Sequence, residues 1–353
     1  MNPLVSIIVP VFNQNETYLR HCIQSALCQS YGNIEVIISD NHSTNGAAGV
    51  IAEYQSHKVR KVRPPVFLDM TGSFAFAASC ANPNSKYLSF LSSDDLLAPN
   101  AIAELVALAE NNKSAVFLAG NIIQSRKAPI DFEQIENRIR TSKNKPGLHT
   151  FQETIALFCP WRLSSTWMAG DLIKHDAYNA TGGFAACDYH MLGDLWLTKE
   201  LLKLKNADFG LVGITTAFFR QREEGVFAAD GERGLGVYLD VLRYNNEMLE
   251  IVTDRGVGYR QRVSIKWSSY LVLLKIVMLV LVARRFQESY SKSQEENFQR
   301  YIRSTRRFYE KYLLAWAVSV QGMPFYLSAR LARVLVDSVR KGLSRVRSRS
   351  LPP

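Results

Sequence analysis

The chain has 353 residues, of which 47% are hydrophobic and 21% are charged, and its formal net charge is +10. This composition excludes a disordered or fibrous chain and predicts one or two globular domains. The positive charge is local, because residues 301–353 hold eleven Lys and Arg residues against two acidic ones, so it says little about what the first 300 residues bind.

The five cysteines are scattered and form no CxxC pair, which argues against a zinc site and a disulfide framework. The N-terminus runs directly into an apolar strand pattern, with no charged segment before it, so we expect no signal peptide. The expected compartment is the reducing cytoplasm.

The first part of the chain alternates strand and helix patterns. Val5–Pro10 and Ile34–Ser39 are short β-branched runs, as expected of strands buried on both faces. Tyr18–Cys28 and Gly46–Gln55 place apolar residues at helical spacing. This alternation predicts right-handed βαβ units and a parallel central sheet.

Further elements are predicted up to residue 220. They are a strand at Lys86–Leu91, a helix at Ala101–Glu110, a strand at Ser114–Ala119, a loop at Ile130–Gly147, a helix at Phe151–Phe158, a strand at Ser165–Ala169, a turn at Gly182–Phe184, a helix at Leu192–Lys203 and a strand at Gly213–Arg220. Helical patterns dominate beyond residue 236, so we divide the chain into an α/β domain at 1–235 and an α-helical C-terminal region at 236–353.

The C-terminal region contains two notable helical patterns. Residues 268–283 are interrupted by Lys275 and are too short to cross a bilayer, which favours a core helix, with an interfacial helix as the second interpretation. Residues 326–349 interleave apolar positions with arginines, a pattern typical of a basic amphipathic helix on an anionic membrane surface. A solvated helix packed on its own domain is an equal alternative. No recognition motif accompanies these arginines, so nucleic acid is not an expected partner.

The most informative stretch is Tyr87–Leu96, an apolar strand that ends in the adjacent carboxylates Asp94 and Asp95. Two ionised carboxylates repel each other unless a cation neutralises them. Their oxygen atoms suit Mg²⁺ or Mn²⁺, which commonly bind together with a substrate diphosphate. The alternative is that the pair only caps the following helix, because aspartate is a favoured helix cap.

Polar side chains follow three of the predicted strands: Asn13, Asp40 and the Asp94–Asp95 pair. Open parallel sheets bind ligands beyond the carboxyl ends of their strands, where these side chains would meet. A base-binding carboxylate opposite a metal-binding pair would hold a nucleoside diphosphate. Asp40 would accept a hydrogen bond from a pyrimidine N–H, or it is an ordinary turn residue.

Five segments, in this order, resemble the successive motifs of family 2 glycosyltransferases with the GT-A fold. They are Ser6–Asn13, Ile34–Thr44, Tyr87–Asp95, Thr181–Asp194 and Phe218–Gly225. The likeness covers residues 4 to 230. It implies a Rossmann-like GT-A fold with a mostly parallel central sheet, and an inverting enzyme of the bacterial surface-glycan type.

The resemblance implies a role for individual residues. The implied nucleotide-binding set is Pro10, Val11, Asn13, Glu16, Asp40, Ser93, Asp94, Arg220 and Arg222. Asp94 matches the metal-coordinating carboxylate and Asp95 supports it, with Mn²⁺ or Mg²⁺ as the cofactor. Asp194 matches the general base that deprotonates the acceptor hydroxyl, and Asp188 is its rival.

The function implied is transfer of a sugar from a nucleotide diphosphate, with UDP as the expected nucleotide, to a hydroxyl of a glycan or lipid-linked acceptor. Such a metal-dependent hexosyltransferase would serve polysaccharide biosynthesis, either in the cytoplasm or peripherally on the inner face of the plasma membrane.

Three positions depart from the family pattern. Ser92 stands where the family usually has an acidic residue, Asn41 replaces the second aspartate of the base-contacting pair, and Gly72–Ala78 lacks the usual Asn or Arg. These departures favour an alternative function, a nucleotide-sugar-binding protein that keeps the fold and has lost turnover.

Overall fold

The computed structural model describes residues 2–125, 146–158, 169–189, 192–205, 207–220 and 231–258, together with Arg262 and Ile265. Contacts divide the chain into two units, Met1–Leu273 and Leu274–Pro353, and every described residue belongs to the first. The predicted helices at 268–283 and 326–349 lie outside the described residues, and the division at residue 235 stays a prediction. In the described ranges, no helix combines the length and apolarity that a membrane span requires.

The first five elements follow the predicted alternation. They are β1 (Val5–Val11), α1 (Glu16–Leu27), β2 (Ile34–Asp40), α2 (Ala47–Glu53) and β3 (Val59–Val62). Helix α1 begins after Asn15, whose side-chain oxygen accepts the Tyr18 N–H at 3.2 Å and satisfies one of the donors left free at a helix start. The sequence pattern does not predict β3, because two charged residues separate its valines and only pairing with β2 makes it a strand.

The middle elements include the predicted strand that ends near the paired aspartates. They are α3 (Met70–Ser79), β4 (Tyr87–Phe90), β5 (Leu96–Leu97), α4 (Ala101–Asn111) and β6 (Ala115–Ser125). The segment Gly72–Ala78 forms most of α3, which Asp69 caps by accepting the Gly72 N–H at 2.7 Å. Asn100 flanks the start of α4, so the alternative that Asp94–Asp95 caps this helix is wrong.

The remaining elements surround the predicted acceptor side. They are β7 (Gly147–His149), α5 (Phe151–Phe158), β8 (Leu172–Lys174), α6 (His175–Ala180), a 3₁₀ turn at Gly183–Ala186, α7 (Gly193–Lys203), β9 (Asp208–Arg220) and α8 (Gly231–Asp254). The predicted helices that correspond to α5 and α7 are confirmed, and the last strand begins five residues earlier than predicted. Residues 130–145 of the predicted loop and 165–168 of the predicted strand lie outside the described residues.

The nine strands found in these ranges form one sheet in the order β3-β2-β1-β4-β8-β6-β9-β5, with β7 paired to β9. Strands β3, β2, β1 and β4 run parallel, as the alternating pattern predicts, and β6 runs parallel to β9. Strand β8 lies antiparallel between β4 and β6. The carboxyl ends of β1, β2 and β4 therefore meet at one edge of the sheet, which we call the carboxyl edge.

Helices cover both faces of the sheet. Alternate residues of β1 face opposite sides, so Val9 packs with α1, α2 and α4 while Ile8 packs with α3, α7 and α8. Trp196 is 5% exposed and packs in the second of these cores. Tyr244 of α8 is fully buried in the same core, so α8 is part of the sheet-containing unit.

Gly183 provides a test of this packing. Its φ is +56°, and a Cβ atom there would lie 2.4 Å from the Tyr178 ring carbon Cζ. We expect Gly183→Ala to lower the free energy of unfolding by about 2–4 kcal/mol, because left-handed backbone costs an L-residue about 1–2 kcal/mol and the displaced ring adds strain. Urea unfolding followed by circular dichroism measures the difference.

Gly49→Ala is the matched control, because Gly49 lies within α2 and no atom lies within 4 Å of a Cβ built there. Alanine is the better helix former, so the free energy of unfolding should stay unchanged or rise by up to about 1 kcal/mol. Equal losses in the two variants would contradict the packing at Tyr178.

Candidate active site

Asn13 joins the loops that follow β1 and β2. Its Oδ1 atom accepts the Thr44 N–H at 2.7 Å, and its own N–H donates to the Ser43 hydroxyl at 3.0 Å. Its φ of +45° suits asparagine, which adopts left-handed backbone more readily than most residues. Asn13 therefore lies at the carboxyl edge, where it fixes the two loops relative to each other.

Three further predicted residues lie around the same loops. Pro10 and Val11 are buried at the end of β1, where Val11 pairs with Asp40. Glu16 is exposed in the first turn of α1, and its carboxylate lies so close to Gly46 that a Cβ there would be 1.9 Å from Oε1. A larger residue at position 46 would therefore require the exposed Glu16 side chain to move.

Asp40 closes β2 and is 7% exposed. Its Oδ1 accepts the Ser43 N–H at 2.9 Å, as in an ordinary aspartate turn, while Oδ2 lies 3.4 Å from Nη1 of Arg63. Nη2 of Arg63 lies 3.1 Å from Nδ1 of His42. One oxygen of Asp40 therefore holds the turn and the other faces a partly exposed cation.

An exposed aromatic pair lies beside Asp40. The Phe12 and Phe67 ring centroids are 4.9 Å apart, and the side chains are 49% and 56% exposed. Asn41 holds the second loop in place, since its side chain donates to the Leu68 carbonyl at 2.8 Å and accepts the Leu68 N–H at 3.0 Å. Two large rings kept in water next to a polar site form a surface on which a flat ligand would stack.

The turn after β4 is held by Arg220 at the end of β9. Leu96 pairs with Phe218 in antiparallel register, so Arg220 falls opposite Asp94. Asp95, which is 1% exposed, accepts the Arg220 N–H at 2.9 Å through Oδ1, and Nε of Arg220 donates to the Asp94 carbonyl at 3.0 Å. The backbone N–H and the guanidinium group of Arg220 thus tie the Asp94–Asp95 turn to the end of β9.

Contacts from α1 complete this turn. The Ser93 hydroxyl accepts a hydrogen bond from Nε2 of Gln14 at 2.9 Å, and the Arg220 guanidinium lies 3.9 Å from the Tyr18 ring centroid. Burial and the nearby Arg220 charge both lower the pKa of His21. Ser93, Asp94 and Arg220 are therefore brought together with the β1 loop, as predicted.

Asp194 lies in the first turn of α7 and is partly buried, and backbone N–H groups of that turn donate to its carboxylate. Burial raises the pKa of Asp194 to about 6, and the carboxylate of Asp240 adds to the rise against the effect of those N–H groups. Asp240 itself accepts the Leu192 N–H at 3.0 Å. Asp194 is thus an ionisable group poised close to neutral pH.

The position of Asp194 relative to the carboxyl edge follows from its proximity to Asp171, which lies close to the end of β4. Ala169 pairs with Leu91, the residue before Ser92, and Asp171 follows two residues later. The carboxyl groups of Asp171 and Asp194 are close enough to influence each other electrostatically. The predicted base therefore lies on the side of the sheet where β4 ends.

The rival base, Asp188, is in a different environment. It is exposed and forms an ion pair with Arg243, which also donates to the Asp188 carbonyl at 3.2 Å through Nη1. Arg243 bonds Glu247 as well, at 2.8 Å. Because the Asp188 carboxylate is already engaged in this ion pair, the geometry favours Asp194 as the base.

The carboxylates at the end of β4 would supply only some of the ligands of a metal ion, and the bound substrate and water would supply the others. Oδ1 of Asp95 is engaged by the Arg220 N–H, which reduces the oxygen atoms available to a cation. In the described ranges, no group of three His, Cys, Asp or Glu residues is arranged to hold a metal ion. Mg²⁺ or Mn²⁺ would accordingly rest on Asp94 and take its other oxygen ligands from a diphosphate and water, which is common for Mg²⁺.

A family model described as glycosyl transferase family 2 matches residues 6–162. Residues 6–162 are thus similar to family 2 glycosyltransferases. The matched segment includes β1, β2, β4 and the Asp94–Asp95 turn, so it contains most of the carboxyl edge.

Curated proteins that are similar to this chain are also described as glycosyltransferases. An uncharacterised glycosyltransferase of Rickettsia bellii is 37% identical over 123 residues, which are 33% of this chain and 17% of that protein. Another, of Rickettsia typhi, is 30% identical over 168 residues, which are 45% of this chain and 51% of that protein. The chain thus spans about half or less of the length of these relatives.

Solved structures confirm the predicted GT-A fold. S. aureus TarS, residues 1–349, superposes with a TM-score of 0.52 at 10% identity, covering 83% of this chain and 77% of that chain. The same protein in complex with UDP-GlcNAc gives a TM-score of 0.50 at 13% identity, covering 78% and 81%. At such low identity the likeness concerns the fold.

The sequence analysis missed several residues of the carboxyl edge. Gln14 and Phe12 flank Asn13 in the first motif and are detectable there, whereas Arg63 and Phe67 belong to a loop without a motif. Arg222 lies outside the described residues. The binding roles of the predicted residues stay predictions.

The raised pKa of Asp194 predicts a pH dependence of stability. Its folded pKa of about 6 exceeds the ordinary 3.8, so the folded protein binds this proton more tightly than the unfolded chain does. The resulting stabilisation is complete below about pH 4 and is lost as the pH rises through about 6, on the order of 2–3 kcal/mol in all.

Asp194→Asn should remove this part of the pH dependence, as measured by urea unfolding across that range. Asp188→Asn is the control, because it makes the same substitution at an exposed aspartate of the same segment. An unchanged slope in Asp194→Asn would mean that the folded protein does not desolvate this carboxyl group.

Proposed function

We propose that the chain is an inverting glycosyltransferase that moves a sugar from a nucleoside diphosphate to an acceptor hydroxyl. One observation carries the proposal: the chain, which is similar to family 2 glycosyltransferases over residues 6–162, places Asp40, Asp94 and Arg220 at one sheet edge, with the desolvated Asp194 on the same side of the sheet. These are the parts that a nucleotide, a diphosphate and a proton transfer require.

The donor would lie along the carboxyl edge. The exposed rings of Phe12 and Phe67 would stack on the base, and Asp40 would accept its ring N–H. The diphosphate would then extend towards Asp94 and Arg220. UDP is the expected nucleotide, and the UDP-GlcNAc complex of TarS supports the capacity of this fold for such a donor.

The chemistry would be a single displacement. Asp194 accepts the acceptor hydroxyl proton while the hydroxyl oxygen attacks the anomeric carbon, and the bond from that carbon to the diphosphate oxygen breaks. One attack from the opposite face inverts the configuration. A pKa of about 6 leaves Asp194 ionised at neutral pH and makes it a stronger base than an ordinary carboxylate.

Positive charge would stabilise the leaving diphosphate. The Arg220 guanidinium is already fixed beside the Asp94–Asp95 turn, so it needs no reorganisation during the reaction. Mn²⁺ or Mg²⁺ on Asp94, when bound, would supply further charge stabilisation of the same group.

The proposed acceptor class and location are based on the sequence, namely on the surface-glycan resemblance and on the basic segment at residues 326–349. A glycan or lipid-linked acceptor in polysaccharide biosynthesis suits the surface-glycan resemblance. A peripheral position on the inner face of the plasma membrane would follow if residues 326–349 bind anionic lipid.

The second candidate is a nucleotide-sugar-binding protein without turnover. In the residues that the structure describes, a metal ion would have fewer carboxylate ligands than a three-ligand site offers, since Ser92 is not acidic. Asn41 is engaged with Leu68, which gives it a structural use instead of a ligand-binding one. Binding of UDP together with absence of transfer for every donor tested would support this candidate.

Donor binding is tested by isothermal titration of UDP with and without Mn²⁺. We expect Asp94→Asn to weaken the Mn²⁺-dependent affinity by at least about tenfold, because the ion loses its charged ligand. Asp176→Asn is the matched control, since Asp176 is exposed at the start of α6, beyond the opposite end of β4. Equal affinities in the two variants would remove Asp94 from the metal site.

Transfer is tested by a screen of nucleotide sugars against glycan acceptors. For an active donor, Asp194→Asn should reduce kcat by about 10²–10⁴-fold, the usual contribution of a general base, with UDP affinity nearly unchanged. Asp188→Asn should keep most of the activity. A large loss of kcat in Asp188→Asn together with retained activity in Asp194→Asn would instead assign the role of general base to Asp188.

A further inference from the structure

A lysine is buried where α7 meets α8. Lys199 of α7 is 2% exposed, and its ammonium group forms ion pairs with Glu247 of α8 and with Glu200, the latter at 3.0 Å. Burial of a charge is costly unless the charge is paired and hydrogen-bonded, so the partners of this lysine must be well placed. The proposed transfer reaction does not use Lys199, and its burial therefore needs an explanation of its own.

Glu247 is the centre of this arrangement. Besides its ion pair with Lys199, it receives two hydrogen bonds: the Tyr189 hydroxyl donates to Oε2 at 3.1 Å, and Nε of Arg243 donates to Oε1 at 2.8 Å. We call these four residues the Glu247 cluster. The cluster joins α7, α8 and the segment that precedes α7.

Both cations of the cluster also contact the ring of Tyr189. Nζ of Lys199 lies 4.9 Å from the ring centroid, and Cζ of Arg243 lies 5.0 Å from it. Cations at such distances are attracted to an aromatic ring, and the attraction is stronger where water is excluded. Tyr189 is 4% exposed, so its ring and its hydroxyl group are both held in place.

The same face of α8 also holds the residue just before α7. Asp240, Arg243 and Glu247 are spaced i, i+3 and i+7, which places them on one side of the helix. Oδ2 of Asp240 accepts the Leu192 N–H at 3.0 Å, and α7 begins at the next residue. This face of α8 therefore binds the chain directly before the turn that contains the proposed base.

The apolar packing of α7 and α8 leaves room for a polar determinant of their register. Leu195 and Leu201 of α7 belong to the same core as Tyr244 and Met248 of α8. Apolar burial is non-directional, so it tolerates small shifts of one helix along the other. Hydrogen-bonded charges have a preferred geometry, and the best-attested use of buried polar groups is to specify register.

We propose that Glu247 is a positioning residue for sugar transfer: through the Glu247 cluster, it fixes α7 so that Asp194 is aligned with the acceptor hydroxyl. The inference rests on the proposed function, in which Asp194 accepts the proton of that hydroxyl. Glu247 takes no part in the proton transfer. Its loss would remove one partner of Lys199 and release Tyr189, so α7 would lose its fixed position.

The stability of α7 is tested first, by hydrogen exchange of the full-length protein followed by mass spectrometry. Glu247→Leu should raise the exchange rates of the α7 amides at least about tenfold, because a buried cation loses a partner, and should leave those of β1 unchanged. Glu250→Leu is the matched control, since Glu250 is exposed on the same helix. Exchange in α7 that is as slow in Glu247→Leu as in the wild type would overturn the inference.

Kinetics with an active donor test the positioning role. Glu247→Leu should lower kcat by about 10–100-fold, because a small misplacement of the base has an effect of this size, with the donor KM and the UDP affinity nearly unchanged. Glu247→Gln keeps the shape and an oxygen that accepts hydrogen bonds, so it should recover most of kcat. Unchanged kcat in Glu247→Leu, a parallel loss of UDP affinity, or no recovery in the glutamine variant would overturn the inference.

Tyr189→Phe replaces Glu247→Leu in both experiments if the leucine variant does not fold. It removes only the hydroxyl that donates to Glu247, so the same directions are expected with changes of about threefold. Because hydrogen exchange needs no activity, the two kinds of failure differ. Unchanged exchange in an active enzyme would overturn the inference alone, whereas faster exchange with no transfer by the wild type for any donor would overturn the proposed function and the positioning role with it.

Discussion

The double contact between Arg220 and the Asp94–Asp95 turn is the interaction on which the site depends. It ties the end of β9 to the turn after β4 and holds a buried guanidinium group against the backbone carbonyl of Asp94. Because Asp95 is committed to this contact, Asp94 is the more exposed member of the pair. Asp95 thus maintains the turn, whereas Asp94 is the member of the pair that would contact a ligand.

Helix α8 shapes the acceptor side, and no motif in the sequence predicts this role. Asp240 holds the backbone just before α7, and Arg243 pairs with Asp188. These contacts fix the segment that leads to Asp194 and help to desolvate it, which is why two aspartates six residues apart have such different environments. The first helix of the predicted C-terminal region is therefore physically part of the α/β unit.

The parallel half of the sheet is predictable, because buried strands such as β1 and β2 show long apolar runs and their helices show clear periodicity. The positions of Asp40, Asp94 and Asp194 follow from motifs at strand and helix ends. By contrast, β8 has only three residues and β3 is charged, so neither shows the pattern of apolar residues that predicts a strand. Contacts such as Phe12 with Phe67 join distant loops, and no local pattern reports them.

The central claim is that a nucleoside diphosphate binds at the carboxyl edge, between Asp40 and Asp94. A crystal structure of the protein with UDP and Mn²⁺ tests it most directly. We expect the base to lie against the Phe12 ring with its N–H near Asp40, and the diphosphate to lie next to Asp94 and Arg220. Nucleotide density at another surface, or an empty carboxyl edge at saturating UDP, would contradict it.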